Sequence, residues 1–104
     1  MTVENNEVRV SKIKGVTFEN RQVNVKALIQ GQTIFFKPEP ENPYDANAIK
    51  LFADRECTKE LGHVDSQLLK DMVGYTIIDV MVRSVGAKHD TFGANIAIVF
   101  QKKI

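Results

Sequence analysis

Glu41-Asn42-Pro43-Tyr44-Asp45-Ala46-Asn47-Ala48-Ile49 commits more conformationally special residues to one short path than any other stretch of the chain. Pro43 fixes its own φ and pushes Asn42 toward an extended backbone. Asn42, Asp45 and Asn47 carry short polar side chains that bond nearby backbone groups and hold an irregular turn. The run Thr33-Ile34-Phe35-Phe36-Lys37 before it and the run Ala48-Ile49-Lys50-Leu51-Phe52-Ala53 after it both have strand composition. The stretch is therefore expected to be an ordered loop between two strands, which makes the fold β at its centre. Tyr44 then sits on a loop held at both ends, and an aromatic ring on a braced loop is a candidate ligand contact. The competing reading tucks the Tyr44 ring beneath the loop and makes Asp45 a turn former only.

Upstream of this loop, Val8-Arg9-Val10 alternates in strand fashion, but Ile13 falls in the opposite phase, which predicts a bulge or slip near Ser11. Lys12 to Val16 continues the strand, with Gly15 admitting a close neighbour. Asn20 or Asn24 caps a short helix over Val25 to Ile29 that Gly31 ends. Val23 and Val25 suit a strand equally. The strand from Thr33 to Lys37 stops at Pro38-Glu39-Pro40.

Downstream, the polar run from Asp54 to Thr58 turns the chain into Lys59-Glu60-Leu61-Gly62-His63-Val64. Asp65 reads as the N-cap of a short helix with Leu68, Leu69 and Met72 on one side and Gly74 at its end. Tyr75 to Val85 reads as a long strand, with Ile78, Val80 and Val82 buried and Asp79 and Arg83 wet. A loop from Gly86 to Thr91 leads into a last strand carrying Ile96, Ile98 and Phe100, with an exposed edge. Five or six short antiparallel strands and two small helices need closure to hide their edges, so the expected fold is mostly β, a small barrel or curled sheet.

A length of 104 residues with 43% hydrophobic and 26% charged residues suits a single domain, here residues 8–104 after a flexible start at 1–7. The lone Cys57 excludes an internal disulfide and sits in a polar run with nothing to activate it. There is no apolar signal core and no run of membrane-spanning length, which makes an intracellular, cytoplasmic protein with no membrane partner the expectation. A net charge of +1 gives no global attraction to a polyanion, so any nucleic-acid binding must be local and shallow in its salt dependence. His63 and His89 lie far apart without metal-ligand spacing, and no nucleophile triad, phosphate loop or carboxylate pair is evident. His89-Asp90 reads as part of a solvated loop. No catalysis, metal or cofactor is expected.

The segment from Asn42 to Ile49 resembles the signature of the HIRAN domain, a small module of some Snf2-type DNA-remodelling helicases and of short bacterial and phage proteins. Gly15-Val16-Thr17-Phe18, Leu61-Gly62-His63-Val64 and Phe92-Gly93-Ala94-Asn95 agree with the family in order and spacing, so the resemblance runs from about Lys12 to Phe100. It implies a modified, six-stranded antiparallel OB-like barrel. It also implies a non-catalytic module that captures the free 3′-hydroxyl end of single-stranded DNA in an aromatic-lined pocket, in a DNA repair, replication or mobile-element setting. A helicase or nuclease on another chain is the implied protein partner.

By the same resemblance, Tyr44 lines the pocket and Asp45 accepts the hydrogen bond of the terminal hydroxyl. Phe18 and Phe92 are further aromatic contacts. His63 is on the phosphate side, donating as a neutral ring or as an imidazolium. Thr17, Asn42 and Asn95 sit in the matched motifs, Asn42 and Asn95 as loop shapers, while Lys50 and Lys88 are nearby cations. The departures from the family are physical ones. Phe18 is flanked by Thr17 and Glu19 where DNA-binding members tend to carry a cation and a second ring, and Asp65-Ser66 stands where a basic residue is common. Each lost cation removes a phosphate contact, so binding is expected to be weak. The alternative is a protein-interaction module on the same scaffold with little affinity for DNA.

Overall fold

Residues with β-branched and aromatic side chains cluster in six strands, and the two polar-flanked Leu/Val segments between them become helices. The strands are β1 (Asn6–Lys12), β2 (Phe35–Pro38), β3 (Ile49–Phe52), β4 (Glu60–His63), β5 (Tyr75–Lys88) and β6 (Thr91–Lys102); the helices are α1 (Arg21–Lys26) and α2 (Ser66–Asp71). The computed structural model describes residues 6–18 and 20–103. The expectation of a loose start, as far as it concerns residues 1–5, and the flank of Phe18 at Glu19 lie outside the described residues. Asn6 and Glu7 belong to β1, paired with Gln101 and Phe100.

Two antiparallel three-stranded sheets, β1-β6-β5 and β2-β3-β4, face each other. They do not form a continuously hydrogen-bonded barrel. Each seam is pinned by an isolated bridge, Lys14 with His63 and Thr33 with Met81. At the first, Lys14 and His63 exchange both backbone hydrogen bonds at 2.9 Å; at the second, Ile34 donates to Val80 at 2.9 Å and Gly31 to Val82 at 2.8 Å. The result is a mostly β, OB-like closure in which short seams replace full ladders.

Gly62 explains the first seam. Its φ is +148°, and a Cβ there would run into the Lys14 carbonyl oxygen and sit 2.8 Å from Ile13 Cγ2. Only a residue without a side chain lets β4 approach this closely. The inner faces supply a dry core in which Leu51, Leu61, Val80, Ile96 and Ile98 are fully buried and Phe100 is 1% exposed. Each such side chain contributes roughly 1.5–3 kcal/mol of burial free energy. Val25 of α1 and Met72 just after α2 join this cluster, with Leu68 and Leu69 packed against it. Asp65 caps α2 by accepting from the Gln67 backbone N–H at 3.0 Å.

Several local expectations are corrected. β1 pairs with β6 without a register shift, because Val8 and Val10 face solvent, 60% and 55% exposed, and so set no core phase. Within this sheet the irregularities lie in β5 instead, between Ile77 and Asp79 and between Val82 and Ser84. The first turns Ile78 outward, 44% exposed, and Ile77 inward against the core. α1 starts at Arg21 and ends at Lys26 rather than covering Val25 to Ile29, and Asn20 makes no side-chain cap bond. The loop expected from Gly86 to Thr91 is a tight hairpin whose corner residues His89 and Asp90 both have positive φ, 52° and 66°. β6 lies in the middle of its sheet, so it offers no free edge for another copy.

Candidate functional site

The loop between β2 and β3 is built from its own side chains. Asn42 Oδ1 accepts from the backbone N–H groups of Tyr44 at 2.8 Å and Asp45 at 3.0 Å, and Asp45 Oδ1 accepts from Asn47 N–H at 2.9 Å. Below them, Glu39 N–H donates to the Ala48 carbonyl at 2.9 Å and closes the loop base. With its backbone held this way the loop presents Tyr44 outward, 95% exposed, so the ring is not tucked beneath it.

Across from this ring, Phe18 is 63% exposed at the end of the turn that follows Gly15. Arg21 braces that turn. Its Nη1 donates to the Gly15 carbonyl at 2.8 Å, and its guanidinium lies over the Phe18 ring, 5.6 Å from the centroid. Gly15, at φ +75°, leaves room for the guanidinium, which a Cβ would crowd at 2.9 Å.

Phe18, Tyr44, Asp45, Asn42 and His63 line one cleft of about 650 Å³, together with Lys14, Arg21 and Asp65. Clefts of roughly 300–1,000 Å³ suit small ligands and single nucleotides. The cleft floor is tied to a chain of charges. His63 Nε2 lies 2.8 Å from Glu39 Oε1; Lys50 Nζ reaches both Glu39 and Glu60 at 3.2 Å; Arg21 reaches Glu60 at 3.3 Å. The hydrogen bond from Asn42 Nδ2, followed by that from His63, holds the Glu39 carboxyl at a pKa of about 2. Burial disfavours the charged Lys50 ammonium, yet its bonds to Glu39 and Glu60 outweigh that and raise its pKa. For Glu60 burial pushes upward and the bonds from Lys50 and Arg21 win, lowering it.

Phe92 lies outside this cleft. It lines a neighbouring groove of about 610 Å³ along the β5–β6 hairpin, with Lys88 and Asn95. The Gln22 side chain grips the Phe92 backbone, Oε1 accepting from its N–H at 2.7 Å and Nε2 donating to its carbonyl at 2.9 Å. Lys26 Nζ sits 5.6 Å from its ring. Asn95 Nδ2 donates to Ser84 Oγ at 3.1 Å. Thr17 is exposed in the turn before Phe18 and is not part of the cleft wall. Lys50 faces the groove beside Glu39 and Pro40 rather than the cleft. Two rings, a carboxylate and an imidazole are thus brought together, and the third ring is not.

Sequence reasoning missed Lys14, Arg21, Gln22, Glu39 and Glu60. Arg21 carried a faint signal, being a cation three residues after an aromatic at a helix start. The partners of Gln22 and Glu60 are far away in the chain, and nothing local marks them. Among the described residues no group of His, Cys, Asp and Glu is arranged to hold a metal ion, and no helix is long and apolar enough to cross a membrane.

The profile of the HIRAN domain family matches residues 7–90. No curated protein and no solved structure matches the chain.

Proposed function

The chain belongs to the HIRAN domain family, and from that premise we propose that it binds the free 3′ end of single-stranded DNA in the cleft between Tyr44 and Phe18, without chemistry of its own. The observation that carries this is the pairing of an exposed ring with a half-buried acid on one self-braced loop. A ring already facing solvent on a fixed backbone stacks on a terminal base with little ordering cost. Asp45 uses Oδ1 to hold the loop. Its second carboxylate oxygen is the acceptor for a 3′-hydroxyl. Lys14 and His63 line the same cleft, and in this reading the last phosphates run past them. In a cell such a module works in DNA repair, replication or mobile-element processing, delivering an end to a helicase or nuclease on another chain.

The cleft's charges are close to balanced, Lys14 and Arg21 against Asp45 and Asp65, and Arg21 is already committed to Gly15 and Glu60. The binding is therefore weak and end-directed rather than broadly electrostatic. The test is a fluorescence-anisotropy titration with a short single strand ending in a 3′-hydroxyl or a 3′-phosphate. The hydroxyl end binds tighter, because a phosphate there meets the Asp45 carboxylate, and Asp45→Ala removes the difference. Equal affinity for both ends refutes the proposal.

A second reading, a protein-interaction module, draws on the outer face of the β1-β6-β5 sheet, where Val8, Val10 and Met81 are exposed side by side. It is favoured if no oligonucleotide binds and a partner protein is lost on Val10→Lys.

A further inference from the structure

Resting on the DNA-end reading, we infer that Glu39 is a positioning residue that fixes the tautomer of His63, so that His63 meets a strand phosphate only after taking up a proton. The two residues come from separate segments, His63 from the end of β4 and Glu39 from the turn after β2, and they meet at 2.8 Å through Nε2 and Oε1. The Glu39 carboxyl, held at a pKa of about 2 first by the Asn42 amide and then by His63, is ionised throughout the neutral range. A carboxylate only accepts, so the proton between the pair sits on Nε2.

In a neutral imidazole with Nε2–H, the other nitrogen carries a lone pair and no hydrogen. Glu39 lies in the adjoining groove around Pro38 and Pro40, while His63 also lines the cleft. Nε2 is thus occupied by Glu39, and Nδ1, which is not a buried atom, is the nitrogen left for a ligand. A phosphodiester offers only acceptor oxygens. Neutral Nδ1 sets a lone pair against them, whereas the imidazolium donates an N–H and adds a positive charge. With that tautomer a neutral ring has no N–H to offer a phosphate, because its one N–H is given to Glu39.

Other charged groups lie around the ring. Lys50 is its cross-strand neighbour on β3, Lys14 its partner across the seam, and Arg21, Asp45 and Asp65 share the cleft. An arriving phosphate brings a negative charge to the face opposite Glu39 and stabilises the imidazolium between the two. Strand binding is thereby linked to uptake of one proton.

The test measures the affinity of a short 3′-hydroxyl oligothymidylate across about pH 5.5–8.5, the range in which histidines change charge. Wild-type affinity falls as pH rises, by up to about tenfold per unit on the alkaline side, and the binding enthalpy tracks the ionisation enthalpy of the buffer. In Glu39→Gln the amide can donate to Nε2, the ring is free to carry its proton on Nδ1, and the slope flattens with alkaline binding retained or improved. His63→Gln also flattens it, and His89→Gln, in the distant hairpin corner, leaves it intact. A nitrogen-15 spectrum of the free protein reads the tautomer without DNA and is expected to show Nε2–H. A flat wild-type profile with the 3′-hydroxyl preference intact, or an Nδ1–H ring in the free protein, overturns the inference alone. A persisting slope without end preference supports the proton linkage and sinks end recognition. No binding at any pH sinks both.

Discussion

Gly62→Ala tests whether the seam between the sheets holds this fold together. The new Cβ would overlap the Lys14 carbonyl oxygen and press on Ile13, which is 5% exposed and has no room to retreat. Lys14 is held in place by the two 2.9 Å hydrogen bonds it exchanges with His63, so relieving the overlap means breaking them. Backbone strain at a positive φ costs about 1–3 kcal/mol, and each lost seam hydrogen bond about 1 kcal/mol. The sum, about 3–5 kcal/mol, is a large part of the roughly 5–15 kcal/mol that keeps a domain folded. The comparison is Gly31→Ala, which shares a positive φ of +88° but has nothing within 4 Å of the new Cβ, so it carries strain only. Urea unfolding followed by far-UV circular dichroism is expected to put the Gly62 variant far below the Gly31 variant in midpoint. Equal losses for the two would mean that the close approach at the seam is dispensable, and the account of this motif fails.

Tyr44→Ala removes a ring that is 95% exposed, so stability changes by less than about 0.5 kcal/mol while oligonucleotide affinity falls by about 1–3 kcal/mol; a thermal melt and an anisotropy titration separate the two, and an unchanged affinity removes Tyr44 from the site. Glu39 predicts acid sensitivity: its folded pKa of about 2 lies below the unfolded value of 4.5, so its contribution is complete above that value and is lost as pH falls from about 4.5 toward 2. At about 1.4 kcal/mol per unit, discounted because the side chain is 29% exposed, this amounts to about 1–3 kcal/mol, and Glu39→Gln should show a correspondingly smaller loss of stability between those pH values in urea titrations. Arg21→Met keeps the aliphatic stem but strips the guanidinium from the Gly15 carbonyl and Glu60; a loss of about 1.5–3 kcal/mol accompanied by weaker DNA binding is expected, and binding that survives undiminished would show that the Phe18 turn needs no brace.

What the sequence revealed and what it hid divide along physical lines. The loop at Asn42 to Asn47 was legible because its hydrogen bonds are local: Asn42 to the next residues' N–H groups, Asp45 to Asn47. The Asp65 cap was legible for the same reason. Alternation foretold β6, whose inward residues Ile96, Ile98 and Phe100 are all buried. In β5 it held for Val80 and Val82, which are buried, and for Asp79 and Arg83, which are exposed, and failed only at Ile78, where an extra residue swaps the faces, since a bulge depends on the partner strand and leaves no mark in its own composition. It failed for β1 because a valine on the outer face of a sheet looks like a valine on the inner one. The family motifs put Phe18, Tyr44, Asp45 and His63 around one cavity, and these four do line one cleft. Two of the links beneath them, Glu39 with His63 and Arg21 with Glu60, join residues 24 and 39 positions apart, and no spacing rule announces these. Phe92 was misplaced for a related reason: the grip of Gln22 on its backbone, across 70 positions, holds it on the neighbouring groove.

Asn42 joins the two halves of the cleft. Its carbonyl oxygen shapes the loop that carries Tyr44 and Asp45, and its amide nitrogen donates to Glu39 at 2.9 Å. Glu39 in turn holds His63. A group that binds the loop and a group that binds the imidazole are therefore not independent. Any shift of the loop that pulls the Asn42 amide away weakens the strongest restraint on the Glu39 carboxyl, and with it the bond that orients His63. Residues acting through one shared partner do not contribute additively. The Asn-Pro-Tyr-Asp segment thus does more than hold a ring in place. Its first residue couples the backbone that carries Tyr44 and Asp45 to the imidazole of His63 in the same cleft.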